Sequence, residues 1–248
     1  MARRGGRSTR YAGRAAVAAL AAQYLPSTVT LGQWTSLQAL PGDLCRWQGP
    51  RDAPRVALTF DDGPSPEATP AVLDRLDDLS LVATFFPLAS LAEQEPDLVA
   101  EVVRRGHAVG THGYRHEHHL ARTPRWVAAD LAAADSVMAG LGLHPVWYRP
   151  SYGQATGSTL LAARRRGWRT VLWSAWGREW TTKDPTEVAG RIAGRLRPGA
   201  VVLLHDNDVF GTPGMWRVGL DSLELVAAEL DRRGLEAVTL DTLVGTPR

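Results

Sequence analysis

The sequence contains very little cysteine and very little lysine. Cys45 is the single cysteine among 248 residues, so the chain can form no internal disulfide and no metal site built from several thiolates. Lys183 is the single lysine, which we interpret as a bias of composition and not as chemistry. The missing disulfides do not decide the compartment, because secreted proteins can also lack them.

Long hydrophobic runs are missing as well. No apolar stretch approaches the ~20 residues that a membrane-spanning helix needs, so we expect no integral membrane span. The basic N-terminus is followed by AAVAALAAQYL, a pattern similar to a weak export signal. A basic tail before an ordinary helix is the alternative interpretation. Secretion, the cell envelope and the cytoplasm therefore all stay open as locations.

The net charge of +2 gives no support for a nucleic-acid partner. Five arginines and no acidic residue lie within the first 14 positions. Removing these five from the 28 basic residues leaves 23 against 26 acidic residues, a balance of −3. Since nucleic-acid binding depends on clustered positive charge, we expect none from this mildly acidic body.

From residue 55 onward, short apolar strands alternate with helical patterns, several of which end in arginine followed by glycine. This alternation predicts an α/β fold with parallel strands that are covered on both faces. It suits a closed or nearly closed barrel, with a doubly wound open sheet as the alternative. The candidate strands are Val56–Phe60, Val82–Phe86, His107–Thr111, Val146–Arg149, Thr170–Ser174, Ala200–His205 and Glu236–Leu240.

Polar clusters follow five of these strands. They read DDGP, HGYRHEHH, RPSYG, WSAWGREW and HDND in chain order. Each alone could be an ordinary turn, since Asp-Gly and Gly-Pro are turn dipeptides. In a parallel α/β barrel, however, the carboxyl ends of all strands meet at one face, where active sites lie. The pattern predicts an active site at that face.

Two histidines and an aspartate pair form a candidate metal centre. His112 and His116 are four residues apart, so a helix beginning there would place both imidazoles on one side. Two imidazoles and one carboxylate suit Zn²⁺ or a similar divalent ion with an open position for water. Of Asp61 and Asp62, one can bind the metal while the other stays ionised and accepts a proton from the activated water. A chance surface pair of histidines is the alternative.

Arg149 and His205 are candidates to complete this chemistry. Arg149 can orient the catalytic carboxylate through a forked hydrogen-bonded pair, although an ordinary surface arginine is the alternative. His205 lies in the apolar run AVVLLHD and is either a buried structural histidine or a general acid.

The motifs TFDDGP, HGYRH, RPSYG, EW and LLHD occur in the order seen in polysaccharide deacetylases. The chain therefore resembles these NodB-homology proteins of carbohydrate esterase family 4, from residue 55 to about 243. The resemblance implies a distorted (β/α)7 barrel similar to a TIM barrel. It also implies metal-dependent removal of acetyl groups from N-acetylated sugars, with zinc the expected ion and a chitin-like or peptidoglycan glycan as substrate. It divides the chain into a basic N-terminal segment and irregular lead-in (residues 1–54) and a deacetylase domain (residues 55–248).

The resemblance also implies a role for each matching position. The matches are Asp61 as catalytic base, Asp62, His112 and His116 as metal ligands, Arg149 as the residue that orients the base, the backbone N–H of Tyr152 as oxyanion donor, His205 as general acid, and Trp180 and Leu203 as walls of the pocket for the acetyl methyl group.

Three positions depart from the family pattern. Glu179 and Trp176 stand where the family usually carries aspartates, and Ser151 replaces a common proline. Glu179 is one methylene longer than aspartate, so its contact with His205 could be displaced, although we expect it to remain the partner of that histidine. A catalytically idle carbohydrate-binding relative and an O-acetyl esterase acting on acetylxylan are the alternative functions. Trp176 and Trp216 are candidates to line a substrate groove, and the sequence predicts no oligomeric state.

Overall fold

A computed structural model describes residues 17–26 and 45–245. Residues 17–26 form helix α1, whereas the basic segment of the proposed export signal, residues 1–14, lies outside the described residues. Within the two described ranges, no helix combines the length and the apolar composition that crossing a bilayer requires.

Eight strands and eight further helices follow in the described part of the chain. The strands are β1 Arg55–Asp61, β2 Ala83–Phe86, β3 Ala108–Val109, β4 Trp147–Tyr148, β5 Arg169–Thr170, β6 Ala175–Trp176, β7 Val201–His205 and β8 Glu236–Ala237. The helices are α2 Ala68–Asp78, α3 Ala89–Ala92, α4 Pro96–Arg104, α5 Pro124–Gly140, α6 Gly157–Arg164, α7 Pro185–Ala193, α8 Met215–Arg233 and α9 Leu240–Val244.

The strands pair in parallel, as the β/α alternation predicts. One sheet has the order β3-β2-β1-β7-β6, with β8 paired to the start of β1, and β4 pairs with β5 in a second sheet. A parallel bridge between Thr111 and Tyr148 joins the two sheets. These connections give the distorted α/β barrel that the sequence predicts.

The predicted single strand Thr170–Ser174 is wrong, because the structure has two short strands, β5 and β6, instead. The segment changes partners as it runs: Val171 N donates to Tyr148 O, Leu172 N to Arg46 O, and Ser174 N to Val201 O. No partner is kept long enough for one continuous ladder.

The end of the lead-in pairs with the barrel. Arg46 forms a parallel bridge with Val171, and Gln48 forms an antiparallel bridge with Ala200. Cys45 and Trp47, which flank Arg46, are buried in the core. This segment therefore spans the region between β5 and β7, while the proposed domain boundary at residue 55 stays a prediction.

Alternation along β1 and β7 determines which side chains reach the active site. Val56, Leu58 and Phe60 of β1 pack in the cluster formed with helices α2, α7 and α8. Ala57 instead belongs to the cluster inside the barrel, together with Val201 and Leu203 of β7. Because side chains alternate between the two faces of a strand, Asp61 and His205 lie on the same interior side as these residues.

Candidate active site

The ends of β1 and β7 place two of the predicted catalytic residues beside each other. Asp61 and His205 are register partners, and Asp206 N donates to Asp61 O over 3.2 Å. The next residue after β1, Asp62, has a φ of 75°, a left-handed conformation that is uncommon outside glycine. The chain turns sharply there, so the two adjacent carboxylates contact different residues: Asp61 contacts Arg149, and Asp62 lies beside the two histidines.

The predicted metal ligands come together. Oδ1 of Asp62 lies 3.4 Å from Nε2 of His112 and 3.3 Å from Nε2 of His116. One ligand atom from each of the three residues lies within 4.8 Å of the others. All three side chains are at most 5% exposed, so an ion held here would be largely shielded from bulk water.

The donor set fits a divalent cation. Asp62 Oδ1 is buried and accepts no hydrogen bond from the described residues. Burial lowers the pKa of His116 to about 3 and that of His112 well below its usual range, so both imidazoles stay neutral and keep a lone pair for a metal. Burial also raises the pKa of Asp62 to about 7, against the field of His205. A buried carboxylate in this position is stabilised in its charged form by a cation.

No helix begins at His112, yet the two histidines still converge. Residues 112–116, which we call the His loop, are irregular, and Gly113 has a φ of +91°. His112 N donates to Pro87 O over 2.9 Å, which fixes the loop against the end of β2. A loop turned at glycine therefore brings the imidazoles together where the sequence suggested a helical turn.

Arg149 contacts Asp61 through a single hydrogen bond, and the forked pair expected from the sequence is not formed, because the other guanidinium nitrogens bind the carbonyls of Val171 and Leu172. Nη1 of Arg149 donates to Asp61 Oδ1 over 2.7 Å and to Thr59 Oγ1 over 2.8 Å. Its Nη2 donates to Leu172 O over 3.1 Å, and its guanidinium lies 4.2 Å from the centre of the Phe86 ring. Arg149 is fully buried, which excludes the alternative of a surface arginine.

The pKa of Asp61 reflects two opposing effects. Burial raises this pKa, and the positive charge and hydrogen bond of Arg149 oppose the rise. Arg149 occupies one carboxylate oxygen, Oδ1, while the other, Oδ2, lies 4.0 Å from Nδ1 of His112. Asp61 therefore keeps an oxygen that is directed toward the ligand cluster and can accept a proton.

Glu179 contacts His205 directly despite its extra methylene. Nδ1 of His205 lies 2.7 Å from Glu179 Oε1, and the glutamate side chain is fully buried. Burial lowers the pKa of His205, but the charge and hydrogen bond of Glu179, followed by the charges of Asp62 and Asp61, raise it to about 9. His205 is consequently protonated at neutral pH.

One cavity of about 390 Å³ is lined by Asp61, by His205 and by the three candidate metal ligands. The ring of Trp180 stands edge-on to His205 with 5.6 Å between the ring centres. Trp216 is buried and Trp176 packs under Arg195, and neither lines the cavity, contrary to their candidacy as groove residues. The lining residues are Asp61, Asp62, His112, His116, Tyr152, Gly153, Trp173, Trp180, Leu203, His205, Phe210, Gly211, Thr212 and Met215.

Positive φ angles at residues other than glycine concentrate at this cavity. Within the described residues they occur at Asp62, Tyr152, Arg178 and Ser80, and the first three lie in or beside the site. Such conformations cost of order 1–3 kcal/mol each and persist where the surrounding structure enforces them. The positive φ at Tyr152 turns the chain at the residue predicted as oxyanion donor. The positive φ at Arg178 turns the chain immediately before Glu179.

Thr59 and Phe210 belong to the site, although sequence reasoning did not identify either of them. Thr59 accepts from Arg149 and donates to Val202 O over 2.6 Å, and strand alternation from Asp61 would have placed it inside the barrel. Phe210 stacks on the metal-ligand candidate His116 with 4.6 Å between ring centres, while Tyr152 contacts the same ring at 4.3 Å. No sequence pattern indicates that Phe210 lines the cavity.

Comparisons with known proteins find carbohydrate deacetylases. The profile described as polysaccharide deacetylase matches residues 48–171, half of the chain. A peptidoglycan-N-acetylglucosamine deacetylase of Bacillus cereus is 30% identical over 219 residues, which cover 88% of this chain and 78% of that protein. A chitooligosaccharide deacetylase of Azorhizobium caulinodans is 30% identical over 190 residues, covering 72% of this chain and 89% of that protein.

A solved structure shares the fold over most of this chain. It is a peptidoglycan N-acetylglucosamine deacetylase in complex with 4-naphthalen-1-yl-N-oxidanyl-benzamide, and it superposes with a TM-score of 0.76 at 29% identity. The match covers 82% of this chain and 94% of that one. The resemblance inferred from the motifs is thereby confirmed, and the chain belongs to the polysaccharide deacetylase family.

Proposed function

We propose that the protein is a metal-dependent hydrolase that removes acetyl groups from N-acetylated sugars of a chitin-like or peptidoglycan glycan. The observation that carries this proposal is the meeting, in one cavity, of a candidate metal triad, a carboxylate held by Arg149 and a histidine held by Glu179. Amide hydrolysis needs an activated water, a stabilised oxyanion and a proton for the leaving nitrogen. The residues around the cavity can supply each of these.

Asp62, His112 and His116 would hold the metal, and we propose zinc, since two imidazoles and one carboxylate form a common catalytic zinc set. When bound, the ion supplies a Lewis acid that polarises the acetyl carbonyl and lowers the pKa of water. The low pKa values of His112 and His116 and the unpartnered Asp62 Oδ1 support this assignment.

Asp61 acts as the general base. Arg149, which also donates to Thr59, fixes the orientation of its carboxylate from one side, which leaves Oδ2 to take a proton from the attacking water. Burial keeps bulk water from competing for that oxygen, and the charge of the nearby guanidinium opposes the rise in the pKa of Asp61 that burial causes.

His205 acts as the general acid and delivers a proton to the sugar nitrogen. Glu179 holds Nδ1, so Nε2 is the atom that remains to donate. The backbone N–H of Tyr152 stabilises the oxyanion, and Trp180 and Leu203 form the apolar walls for the acetyl methyl group. All three residues line the cavity that contains His205.

The same machinery could cleave an O-acetyl ester, as on acetylxylan, with less need for an acid because an alkoxide leaves more readily than an amide nitrogen. A catalytically idle carbohydrate binder would not need a held base and a held acid, so Asp61 and His205 favour an enzyme.

Acetate release distinguishes these functions. The wild type is expected to release acetate from N-acetylated chito-oligosaccharides or peptidoglycan faster than from acetylxylan, with Asp61→Asn as the inactive control. If acetate were released from acetylxylan and not from the N-acetylated substrates, the assigned activity would be O-deacetylation and not N-deacetylation. Sugar binding without any release above the control would establish the idle relative.

Phe210 gives a milder prediction about substrate binding. One face of its ring lies against His116, and the side chain is 41% exposed at the cavity mouth, so it can pack on a sugar ring. Phe210→Ala should raise KM for a chito-oligosaccharide about 2- to 10-fold, the equivalent of 0.5–1.5 kcal/mol of ring packing, with metal content unchanged. The adjacent exposed Val209→Ala is the matched control, and an unchanged KM in Phe210→Ala would remove this residue from substrate binding.

A further inference from the structure

A buried carboxylate outside the cavity binds the His loop. Asp130 lies on α5, is 4% exposed, and does not line the catalytic cavity. Its Oδ2 accepts from Tyr114 N over 3.1 Å, and its Oδ1 accepts from Arg115 N over 3.2 Å. Tyr114 and Arg115 lie between the two histidines that are predicted to bind the metal. Both oxygens of one side chain are therefore used on the segment that connects two metal ligands.

The backbone of α3 binds the same loop at two of its carbonyls. Gly113 O accepts from Ala89 N over 2.9 Å, and Tyr114 O accepts from Ser90 N over 3.3 Å. The carbonyls of the loop are thus held by a short helix, and two of its amides are held by Asp130. Since the loop has no helical or strand hydrogen bonds of its own, these contacts decide its conformation.

Close packing at Gly113 further fixes the position of the His loop relative to Asp130. A Cβ at this position would lie 3.3 Å from Asp130 Oδ2, and the φ of +91° also favours glycine. The loop therefore rests directly against the carboxylate. A displacement of this carboxylate would move Gly113 and the peptide groups that precede His116.

We propose that Asp130 is a positioning residue for the metal centre, which sets the separation and orientation of His112 and His116 through the backbone between them. Burying a carboxylate is costly unless its oxygens accept hydrogen bonds, and here the bonds that satisfy it go to the His loop and not to its own helix. Residues that orient metal ligands typically change metal affinity 10- to 100-fold when they are replaced.

The test is metal binding by Asp130→Asn. Asparagine is nearly isosteric but offers one oxygen, so one of the two amides would face an NH₂ group. Apoprotein is titrated with Co²⁺, and the visible spectrum reports the geometry of the bound ion. We expect Asp130→Asn to bind Co²⁺ about 10- to 100-fold more weakly than wild type, with an altered spectrum. Asp135→Asn is the matched control, because Asp135 lies on the same helix with a half-exposed side chain.

The outcomes separate this proposal from the proposed function. Wild-type affinity and spectrum in Asp130→Asn would overturn the role of Asp130 and leave the metal site intact. A wild-type protein that binds no Co²⁺ would overturn the metal site itself, and this inference with it, since the inference depends on that site.

A second variant covers the case in which Asp130→Asn does not fold. Asp130→Glu keeps the charge and both oxygens on a side chain one methylene longer, so the loop is held but displaced. The expected result is weaker Co²⁺ binding and a changed spectrum, while the unfolding midpoint of the apoprotein stays close to that of wild type. A wild-type affinity and spectrum in this variant would overturn the proposal.

Discussion

Asp61→Asn is expected to retain its divalent metal and to lose about 10²–10⁴-fold in turnover, the usual cost of removing a general base. Asp61 lies outside the group of three ligand atoms, and its Oδ1 is occupied by Arg149. Asparagine preserves the size of the side chain and an oxygen for the guanidinium. It cannot accept the proton, so chemistry fails while the metal stays.

Asp62→Asn provides the matched comparison, because it makes the same chemical change one residue further on. Its Oδ1 lies within 3.4 Å of both imidazoles, so loss of the charge should weaken metal binding itself. His112→Ala should behave in the same way, losing metal and activity together. The measurement is metal content after dialysis, beside acetate release from one soluble substrate at saturating metal.

The reverse pattern would show that the two aspartates are assigned backwards. If Asp62→Asn kept its metal while Asp61→Asn lost it, the base would be Asp62. Full metal occupancy in a protein that lacks both His112 and His116 would rule out the assignment of the triad as the metal site.

Much of the site follows from local sequence, because parallel strands bring their carboxyl ends to one face. The position of Asp61 beside His205 depends only on two apolar strands that pair in register. Strand pairing alone then predicts that the polar clusters after the strands lie close together. The family motifs add roles for these residues, and the motifs themselves are short and contiguous.

Other features of the site depend on contacts between distant residues, which sequence reasoning did not reach. The His loop is irregular because carbonyls of the loop bind α3 and its amides bind Asp130, at least 14 positions from either histidine. The histidine spacing alone equally suits a helical turn. Likewise, the split of the predicted strand Thr170–Ser174 depends on Arg46, which lies in the lead-in.

The second large effect concerns the general acid. His205→Asn should cost about 10²–10⁴-fold, since no proton is then delivered to the leaving nitrogen. Glu179→Gln tests how that acid is kept protonated. The glutamine side chain can still accept a hydrogen bond from Nδ1, so this substitution preserves the orientation of the ring while it removes the charge.

The direction of the effect follows from the groups around His205. Burial alone lowers its pKa, and the charges of Glu179, Asp62 and Asp61 raise it to about 9. A cation bound by Asp62 would neutralise part of the field of the two aspartates, which leaves Glu179 as the main group that opposes burial. A general acid works in its protonated form, so activity is present below the pKa of His205 and is lost as the pH rises through it.

Glu179→Gln should therefore move the alkaline limb of the kcat/KM profile to lower pH. On the alkaline side, each unit of displacement lowers the rate about tenfold at fixed pH, while the rates of the two proteins converge at acidic pH, where His205 is protonated in both. The acidic limb, which reports Asp61 and the activated water, should change little. Glu179→Asp is the control that keeps the charge, and its alkaline limb should stay near the wild-type position, or rise if the shorter carboxylate aligns better with Nδ1.

The measurement is a pH–rate profile of wild type and both variants on one soluble N-acetylated oligosaccharide. An alkaline limb that stays in place in Glu179→Gln would mean that Glu179 only orients the ring, with the pKa of His205 set by other carboxylates. Asp206 would then be the first to examine, because it is buried beside the histidine, accepts from Thr69 Oγ1 over 2.6 Å, and has a pKa raised by burial to about 6.

A limb displaced equally in Glu179→Gln and Glu179→Asp would instead show that the length of the side chain matters and its charge does not. Only a shift confined to the uncharged variant establishes that the buried charge of Glu179 keeps His205 protonated.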